Sequence, residues 1–205
     1  MLQDIMSSAA ELQAGRGGSP DVHVRLERPG DLRDAAAVRA VQRAAFPTSA
    51  EAELLDALQS VGAYDPASSL LAEHTGPSEA QVVGHCLLSA ATLVRADGST
   101  RTGRIAALGP IAVLPAWQKR GIGAALMHAA LRHADQAGLA AIVLLGHPAY
   151  YPRFGFRPAR AQGLLPPDDW PDAAWMACRL SGWTQEDTGT VHYASPFMTM
   201  GRASH

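Results

Sequence analysis

The residues from Gln118 to Gly123 have the composition of a loop that could bind a phosphate group. Their sequence, QKRGIG, combines an amide, two cations and two glycines, and an alanine-rich stretch follows directly. Glycine lets main-chain N–H groups approach a phosphate because it has no Cβ, and a helix start presents unpaired N–H groups with a partial positive charge. Lys119, the single lysine of the chain, and Arg120 add full charges. The segment therefore predicts a site for a phosphate-bearing cofactor.

Two common nucleotide-binding motifs are absent from this segment. It contains no Gly-Lys-Ser/Thr, so it is not a P-loop, and it lacks the three-glycine spacing of a dinucleotide-binding fingerprint. A nucleotide-dependent switch protein would also need a serine or threonine after the loop to ligate Mg²⁺, but Ala124 and Ala125 stand there. Because tight turns and helix entries use glycine as well, the pattern by itself leaves an ordinary turn as the alternative.

Side chains capable of acid–base chemistry are scattered along the chain. His85 lies within an apolar strand pattern, and imidazole titrates near neutral pH, although a lone strand histidine is also common as a hydrogen-bonded structural group. Carboxylate candidates for a base are Glu51, Glu53 and Glu73, the first two of which also fit helix-start charges. Ser89 could orient a substrate or bond a backbone group. The spacing of these residues does not select one of them.

Composition limits the kinds of partner and compartment. With 205 residues, of which 47% are hydrophobic, the chain is long enough for one core. With a net charge of -2, the chain has no broad basic field. We therefore expect that neither nucleic acid nor an anionic membrane is a partner. Cys86 and Cys178 have no metal-ligand spacing, so we expect free thiols and no metal. Without a signal-peptide pattern or a run of ~20 apolar residues, we expect a soluble cytoplasmic protein.

The elements that must position these residues form a mixed α/β pattern. A short strand over residues 22–27 precedes helices over 29–46 and 49–62, and three strand candidates follow over 69–74, 81–94 and 102–115. The helix over 121–137 then leads into the continuously apolar strand 140–146. Strand, helix and strand in that order imply a right-handed crossover and a parallel pair. We therefore predict one domain over residues 21–205 with a mixed, mostly antiparallel sheet, preceded by an extension over residues 1–20 that is flexible or a short helix.

Two segments resemble the GNAT N-acetyltransferase superfamily. "IAVLPAWQKRGIGAAL" resembles its acetyl-CoA-binding segment, whose signature is Gln/Arg-x-x-Gly-x-Gly/Ala after a strand; the matching residues are Gln118, Gly121 and Gly123. "GHPAYYPRFGF" resembles the second cofactor segment, in which a tyrosine lies four residues before a Gly-Phe pair; here these are Tyr151, Gly155 and Phe156. The form of this second segment is similar to a bacterial branch of predicted acetyltransferases. The resemblance runs in order from about Val22 to Phe197.

The resemblance implies acetyl-CoA as a cosubstrate bound between two separating parallel strands, with helices on both faces of the sheet. The pantetheine arm would lie along Ile111, Ala112 and Val113. The remaining cofactor-binding residues implied by the family pattern are Gln118, Lys119, Arg120, Gly121, Ile122, Gly123, Ala124 and Tyr151.

The resemblance also implies direct attack of an acceptor amine on the thioester in a ternary complex. Tyr151 is the implied general acid, because a neutral phenol can protonate the departing thiolate. Many family members carry a glutamate base near the cofactor strand, but "LGPIAV" has no carboxylate, so the sequence departs from the family pattern here. We predict His85, on the neighbouring strand, as the base, with Glu51, Glu53 and Glu73 as lesser candidates. The alternative function is a catalytically silent acyl-CoA-binding module used for regulation or assembly.

The acceptor itself is not determined by these patterns. Either a small-molecule amine or an amine of a protein fits the predicted chemistry. Trp170, Trp175 and Trp183 could line the acceptor pocket or fill its wall. Exposed edge strands leave homodimerisation open.

Overall fold

A computed structural model describes residues 21–76 and 79–200. The predicted N-terminal extension, residues 1–20, lies outside the described residues. The strands are β1 (Val22–Leu26), β2 (Ser69–Thr75), β3 (Ala80–Val94), β4 (Thr100–Val113), β5 (Ala141–Leu145), β6 (Arg157–Pro158), β7 (Leu164–Leu165), β8 (Trp175–Arg179) and β9 (Gly189–His192). The helices are α1 (Leu32–Ala45), α2 (Ala50–Ser60), α3 (Ile122–Gln136) and α4 (Ser195–Met200).

The described strands form one sheet in the order β1-β2-β3-β4-β5-β8-β6, with β9 beside β3 and β7 beside β9. Strands β4 and β5 pair in parallel at the centre, on either side of α3 in the chain. The short β7–β9 pair is also parallel, and all other pairs are antiparallel. The predicted mixed, mostly antiparallel sheet with a central parallel pair is confirmed.

Helices cover both faces of the sheet, as predicted. Helix α3 buries an alanine-rich stripe against one face, and Gly84 permits this close packing because a Cβ there would lie 3.1 Å from Leu126 Cδ1. Leucines of α2 pack with Val38 of α1 against Leu71 and Leu87 on the other face. We call these the α3 face and the α1/α2 face. Within the described residues, no helix is long and apolar enough to cross a membrane.

Successive residues of β3 alternate between these two faces. Cys86 and Leu88 belong to the core under α3, whereas Leu87 belongs to the core under α1 and α2. His85 contacts α1 directly. Ser89, two residues beyond Leu87, therefore lies on the α1/α2 face.

Candidate active site

The two parallel strands at the centre separate before β4 ends. Their pairing extends only from Ile105 opposite Ala141 to Ala107 opposite Val143. The register between β3 and β4 shifts next to this point, between Cys86 and Leu88 of β3. In the described part of the chain, no strand pairs with β4 on the β5 side beyond Ala107. The main-chain groups along that side of β4 are therefore available to an extended ligand.

The loop after β4 has an unusual backbone conformation. Lys119 has a φ of 62°, the left-handed region that non-glycine residues seldom adopt, and Gly121 follows with a φ of 81°. A left-handed non-glycine residue costs of the order of 1–3 kcal/mol and is typical of functional sites. Gln118 Nε2 donates to Val113 O at 3.1 Å, which ties the loop to the end of β4.

The start of α3 presents unpaired N–H groups. Gly121 is its N-terminal cap and supplies no side-chain hydrogen bond. The first four N–H groups of a helix have no partner inside the helix, and together with the helix dipole they favour an anion. The start of α3 thus has main-chain groups that can bind a phosphate, and the phosphate site stays a prediction.

A cleft of about 660 Å³ connects this loop with the gap beside β4. The predicted cofactor residues line it, except Arg120 and Tyr151. The lining residues are Ile111, Ala112, Val113, Trp117, Gln118, Lys119, Gly121, Ile122, Gly123, Ala124, Tyr150 and Arg153.

Sequence reasoning missed three of these residues: Trp117, Tyr150 and Arg153. The Arg153 guanidinium lies 4.8 Å from the centre of the Tyr150 ring, and the Arg120 guanidinium lies 5.0 Å from that of Trp117. Both pairs place an arginine three residues after an aromatic, a spacing that could have identified them. The Tyr150 hydroxyl would lie 3.2 Å from a Cβ added at Gly123, so it lies over the start of α3.

Tyr151, the predicted general acid, lies beside the cleft at the end of β5. A Cβ added to Gly146 would clash with the Tyr151 ring, so the ring rests against the backbone just after β5. The ring centre is 5.1 Å from that of Tyr150 and 5.9 Å from that of Phe156. Burial, together with smaller contributions from Cys86 and Tyr150, raises the pKa of Tyr151 to about 12. The phenol is therefore protonated at neutral pH.

His85, the predicted base, is fully buried in a hydrogen-bonded chain. Gln42 Nε2 lies 2.7 Å from its Nδ1, and Ser69 Oγ lies 3.0 Å from its Nε2. The Tyr64 hydroxyl donates to the Glu27 carboxylate, and its oxygen lies 3.2 Å from Ser69 Oγ. Burial lowers the pKa of His85 to about 3. Its role as base stays a prediction, and its surroundings are those of a structural histidine.

The three carboxylate candidates differ in their surroundings. Glu73 forms a salt bridge with Arg25, and Arg25 also forms a bidentate salt bridge with Asp34. Glu53 is exposed and accepts a hydrogen bond from Ser49 Oγ. Glu51 is partly buried, and its Oε2 has no hydrogen-bond partner among the described residues.

The tryptophans of the C-terminal part have different roles. Trp175 is fully buried, and its Nε1 donates to Leu164 O at 2.8 Å, so it fills the core. Trp170 is partly buried, and its ring centre lies 5.3 Å from that of Trp175 and 5.5 Å from that of Tyr193. Trp183 lies under the Arg179 guanidinium at 4.2 Å. Among the described residues, no group of three or more His, Cys, Asp or Glu could hold a metal ion.

Comparison with known proteins gives consistent matches over most of the chain. The model of the acetyltransferase (GNAT) family matches residues 35–156. The uncharacterized N-acetyltransferase YjhQ of Escherichia coli K12 is 35% identical over 170 residues, which cover 81% of this chain and 90% of YjhQ.

Two crystal structures with bound cofactor share the fold. The GNAT family N-acetyltransferase YhbS of Escherichia coli, in complex with CoA, has a TM-score of 0.75 and 28% identity, covering 90% of this chain and 96% of that one. A GNAT family acetyltransferase of Brucella melitensis, in complex with acetyl-CoA, has a TM-score of 0.64 and 32% identity, covering 86% and 97% of the two chains.

Proposed function

The chain belongs to the GNAT acetyltransferase family, and we propose that it transfers the acetyl group of acetyl-CoA to a primary amine. Family membership confirms the resemblance and the enzyme class predicted from the sequence. Family membership does not give the acceptor class, the bound cofactor or the roles of individual residues. We propose these from the chemistry of the cleft.

The observation that carries the proposal is the continuity of the cleft with the gap between β4 and β5. Its loop end combines Lys119, Gly121 and the unpaired N–H groups of α3, which fit the diphosphate of CoA. Its strand end runs along Ile111 to Val113, where β4 offers main-chain hydrogen bonds to the amides of pantetheine. A cofactor that is anionic at one end and amide-bearing along its arm fits both halves.

In the proposed reaction the amine nitrogen attacks the thioester carbon directly. A C–N bond forms and the C–S bond breaks, so no nucleophilic residue of the chain is needed. A main-chain N–H of β4 beside the gap stabilises the developing oxyanion, a contribution of roughly 3 kcal/mol in other acyl transfers. Tyr151 donates its proton to the departing thiolate, which its neutral, buried phenol supports.

The proposal is tested with the full-length protein in two steps. Calorimetry with CoA measures binding, and release of free thiol from acetyl-CoA measures turnover with benzylamine, spermidine and a peptide with a free N-terminus. We expect binding of CoA and amine-dependent thiol release. Binding without turnover for every amine would favour the catalytically silent module, and absence of binding would refute the cofactor site.

A further inference from the structure

The α1/α2 face contains a cavity of about 170 Å³. Its walls come from the first half of α1, the second half of α2 and the chain beside the strands, which contributes Glu27 after β1 and Tyr64 before β2. Val38 and Leu55, two of its lining residues, belong to the core of this face. A cavity of ~150 Å³ binds benzene in another protein, so this one has room for a ligand of about six non-hydrogen atoms.

This cavity is separate from the cofactor cleft. The described lining residues of the two spaces have no member in common. The Tyr64 hydroxyl oxygen lies 3.2 Å from the Oγ of Ser69, the first residue of β2. In the sheet order, β2 is two strands away from β4, and two strand spacings amount to ~10 Å. The cavity therefore lies over the β1–β2 side of the sheet, away from the gap between β4 and β5.

Glu27 places a buried carboxylate at this cavity. The residue is 6% exposed, and its Oε2 accepts a hydrogen bond from the Tyr64 hydroxyl. Burial and the neighbouring Glu27 raise the pKa of Tyr64, so the phenol keeps its proton and acts as the donor. Among the described residues, no donor and no cation bonds to the other oxygen, Oε1. Buried carboxylates are rare unless a cation or several donors pair with them.

The unpaired Oε1 has access to the cavity. It is not among the buried side-chain oxygens that are shut off from solvent without a partner, as Ser89 Oγ is. Since Glu27 is otherwise enclosed by protein and lines the cavity, the cavity is the space that reaches Oε1. A ligand in this space can therefore donate a hydrogen bond directly to the carboxylate.

The other charged groups of the lining favour a cationic ligand. Asp31 contributes a second carboxylate. Arg39 is the one cationic side chain in the described lining, and its Nε donates to Asp56 Oδ1 at 2.7 Å. Its Nη1 donates to Ala35 O at 3.3 Å and its Nη2 to Gln59 Oε1 at 2.9 Å. Because Arg39 is engaged in this way, the carboxylate of Glu27 is the charge left for a ligand.

The rest of the lining is suited to an aliphatic body. Val38 and Leu55 are each 2% exposed and form an apolar floor, and Ala35 and Pro66 add apolar surface. Leu32 is 83% exposed, so it stands at the rim. A ligand with one charged end and a short apolar body would pair with Glu27 and cover these side chains.

We propose that this cavity binds a small organic ammonium ion, with Glu27 Oε1 as its charged partner. The ammonium group donates to Oε1, and the aliphatic part of the ligand lies against Val38 and Leu55. Because the cavity is separated from the β4–β5 gap, a ligand held here is not acetylated. The site is therefore a second amine site, distinct from the acceptor site of the proposed reaction.

The probe that tests this site is 3-methylbutylamine, which has the size of benzene and is charged at pH 7 because alkylamines have a pKa of ~10. Calorimetry with the full-length protein, without CoA so that no acetyl group can move, measures its Kd. We expect 3-methylbutanol, which has the same shape and no charge, to bind at least about tenfold more weakly. Absence of amine binding, or equal binding of amine and alcohol, would refute the proposal.

A first pair of variants tests the carboxylate. Glu27→Gln and Glu53→Gln make the same chemical change, but Glu53 is exposed and does not line this cavity. We expect the Kd for the amine to rise at least about tenfold in Glu27→Gln and to stay unchanged in Glu53→Gln. The glutamine can still accept from Tyr64, which preserves that internal hydrogen bond. An equal Kd in both variants would overturn the role of Glu27.

A second pair tests the cavity without altering the carboxylate. Ala35→Leu fills the space, whereas Ala36→Leu places the same side chain at the next, exposed position of α1. We expect the amine to raise Tm of wild type and Ala36→Leu, because a ligand that binds the folded state stabilises it, and to leave Tm of Ala35→Leu unchanged. An equal rise in all three proteins would place the amine elsewhere and refute the site.

Turnover distinguishes this site from the acceptor site. Thiol release from acetyl-CoA with benzylamine should be the same in Ala35→Leu and wild type, because the filled cavity is not part of the reaction site. Loss of this turnover together with amine binding would identify the cavity as the acceptor site and overturn the proposal of a second one. The binding and Tm measurements do not involve acetyl transfer, so they support or refute the site even if the proposed function fails.

Discussion

The cofactor cleft and the α1/α2 face of the same sheet are built in different ways. The loop of the cleft uses a short continuous segment, in which Lys119 and Gly121 adopt left-handed backbone and the N–H groups of α3 stay unpaired. The α1/α2 face uses side chains from distant parts of the chain, such as Glu27, Gln42 and His85. A site that binds its ligand through main-chain groups is formed by residues that are neighbours in the sequence. A site that binds its ligand through side chains depends on the complete fold.

The two regions also differ in charge. Lys119 and Arg153 line the cleft, and Arg120 stacks on Trp117 at its side. On the opposite face a buried hydrogen-bonded chain links His85 through Ser69 and Tyr64 to the Glu27 carboxylate. The cationic side chains at the cleft match the anionic cofactor that we propose for it. We therefore expect variants of the cleft to change cofactor binding or turnover, and variants of the α1/α2 face to change stability.

The largest effect is expected for Tyr151→Phe. Removing the hydroxyl removes the proposed proton donor to the thiolate, and general acid catalysis contributes about 100-fold or more. We expect kcat to fall by about that factor while the Kd for CoA stays unchanged, because Tyr151 is not among the residues that line the cleft. Steady-state thiol release and calorimetry measure the two quantities. A wild-type kcat in Tyr151→Phe would remove this tyrosine from the mechanism.

Gly123→Val should act on the cleft alone. Its Cβ would lie 3.2 Å from the Tyr150 hydroxyl, and its methyl groups would extend into the space above the α3 N-terminus. We expect the Kd for CoA to rise more than about tenfold, or 1.4 kcal/mol. Ala125→Val is the matched control, because it introduces valine at an exposed position of the same turn. Equal CoA affinity in the two variants would contradict the proposed phosphate site.

Gln42→Leu should act on the α1/α2 face alone. The change leaves His85 Nδ1 buried without its partner, at a cost of about 1–3 kcal/mol. At about 2–4 °C per kcal/mol for a chain of this size, Tm should fall by several degrees. Arg43→Leu, at an exposed position next in the helix, serves as the control in thermal denaturation. An unchanged Tm would mean that this hydrogen bond contributes little.

The smallest effect expected is the pH dependence contributed by His85. Its pKa is lowered to about 3 in the folded chain, below the ordinary value of ~6.5 that holds when the chain unfolds. Below that ordinary value the unfolded chain binds a proton that the folded chain excludes, so stability falls as pH falls. Between pH 6.5 and 5.5 the loss should be about 1 kcal/mol.

Urea unfolding at the two pH values measures this dependence. Burial also lowers the pKa of His128, so His128 makes a contribution of the same sign. This contribution is common to wild type and to a His85 variant. The His85→Gln variant isolates the contribution of His85, because a glutamine does not titrate. An identical pH dependence in wild type and variant would contradict a neutral His85 in the folded protein.

Much of the cofactor region was predictable because its residues lie close together in the sequence. The glycines of QKRGIG, the strand before them and the helix after them predicted the loop, and the resemblance added Ile111 to Val113. Tyr150 and Arg153 were missed, since their place in the cleft depends on how the segment around Tyr151 packs against α3, and Trp117 was missed although it directly precedes the loop. The choice among the candidate bases could not be made from the sequence, because Glu51 and Glu53 look equivalent until the inward side of α2 is known, and the burial of His85 appears only in the fold.

The sequence by itself determined the order of strands and helices, the parallel pair and the glycine loop, because hydrophobic periodicity and backbone preference act over a few residues. Only the tertiary structure decided that the strands separate after Ala107, that His85 is enclosed by Gln42 and Ser69, and that Glu51 Oε2 is left without a partner in the described chain. These features depend on contacts between residues far apart in sequence, where burial and the supply of hydrogen-bond partners decide what each side chain can do.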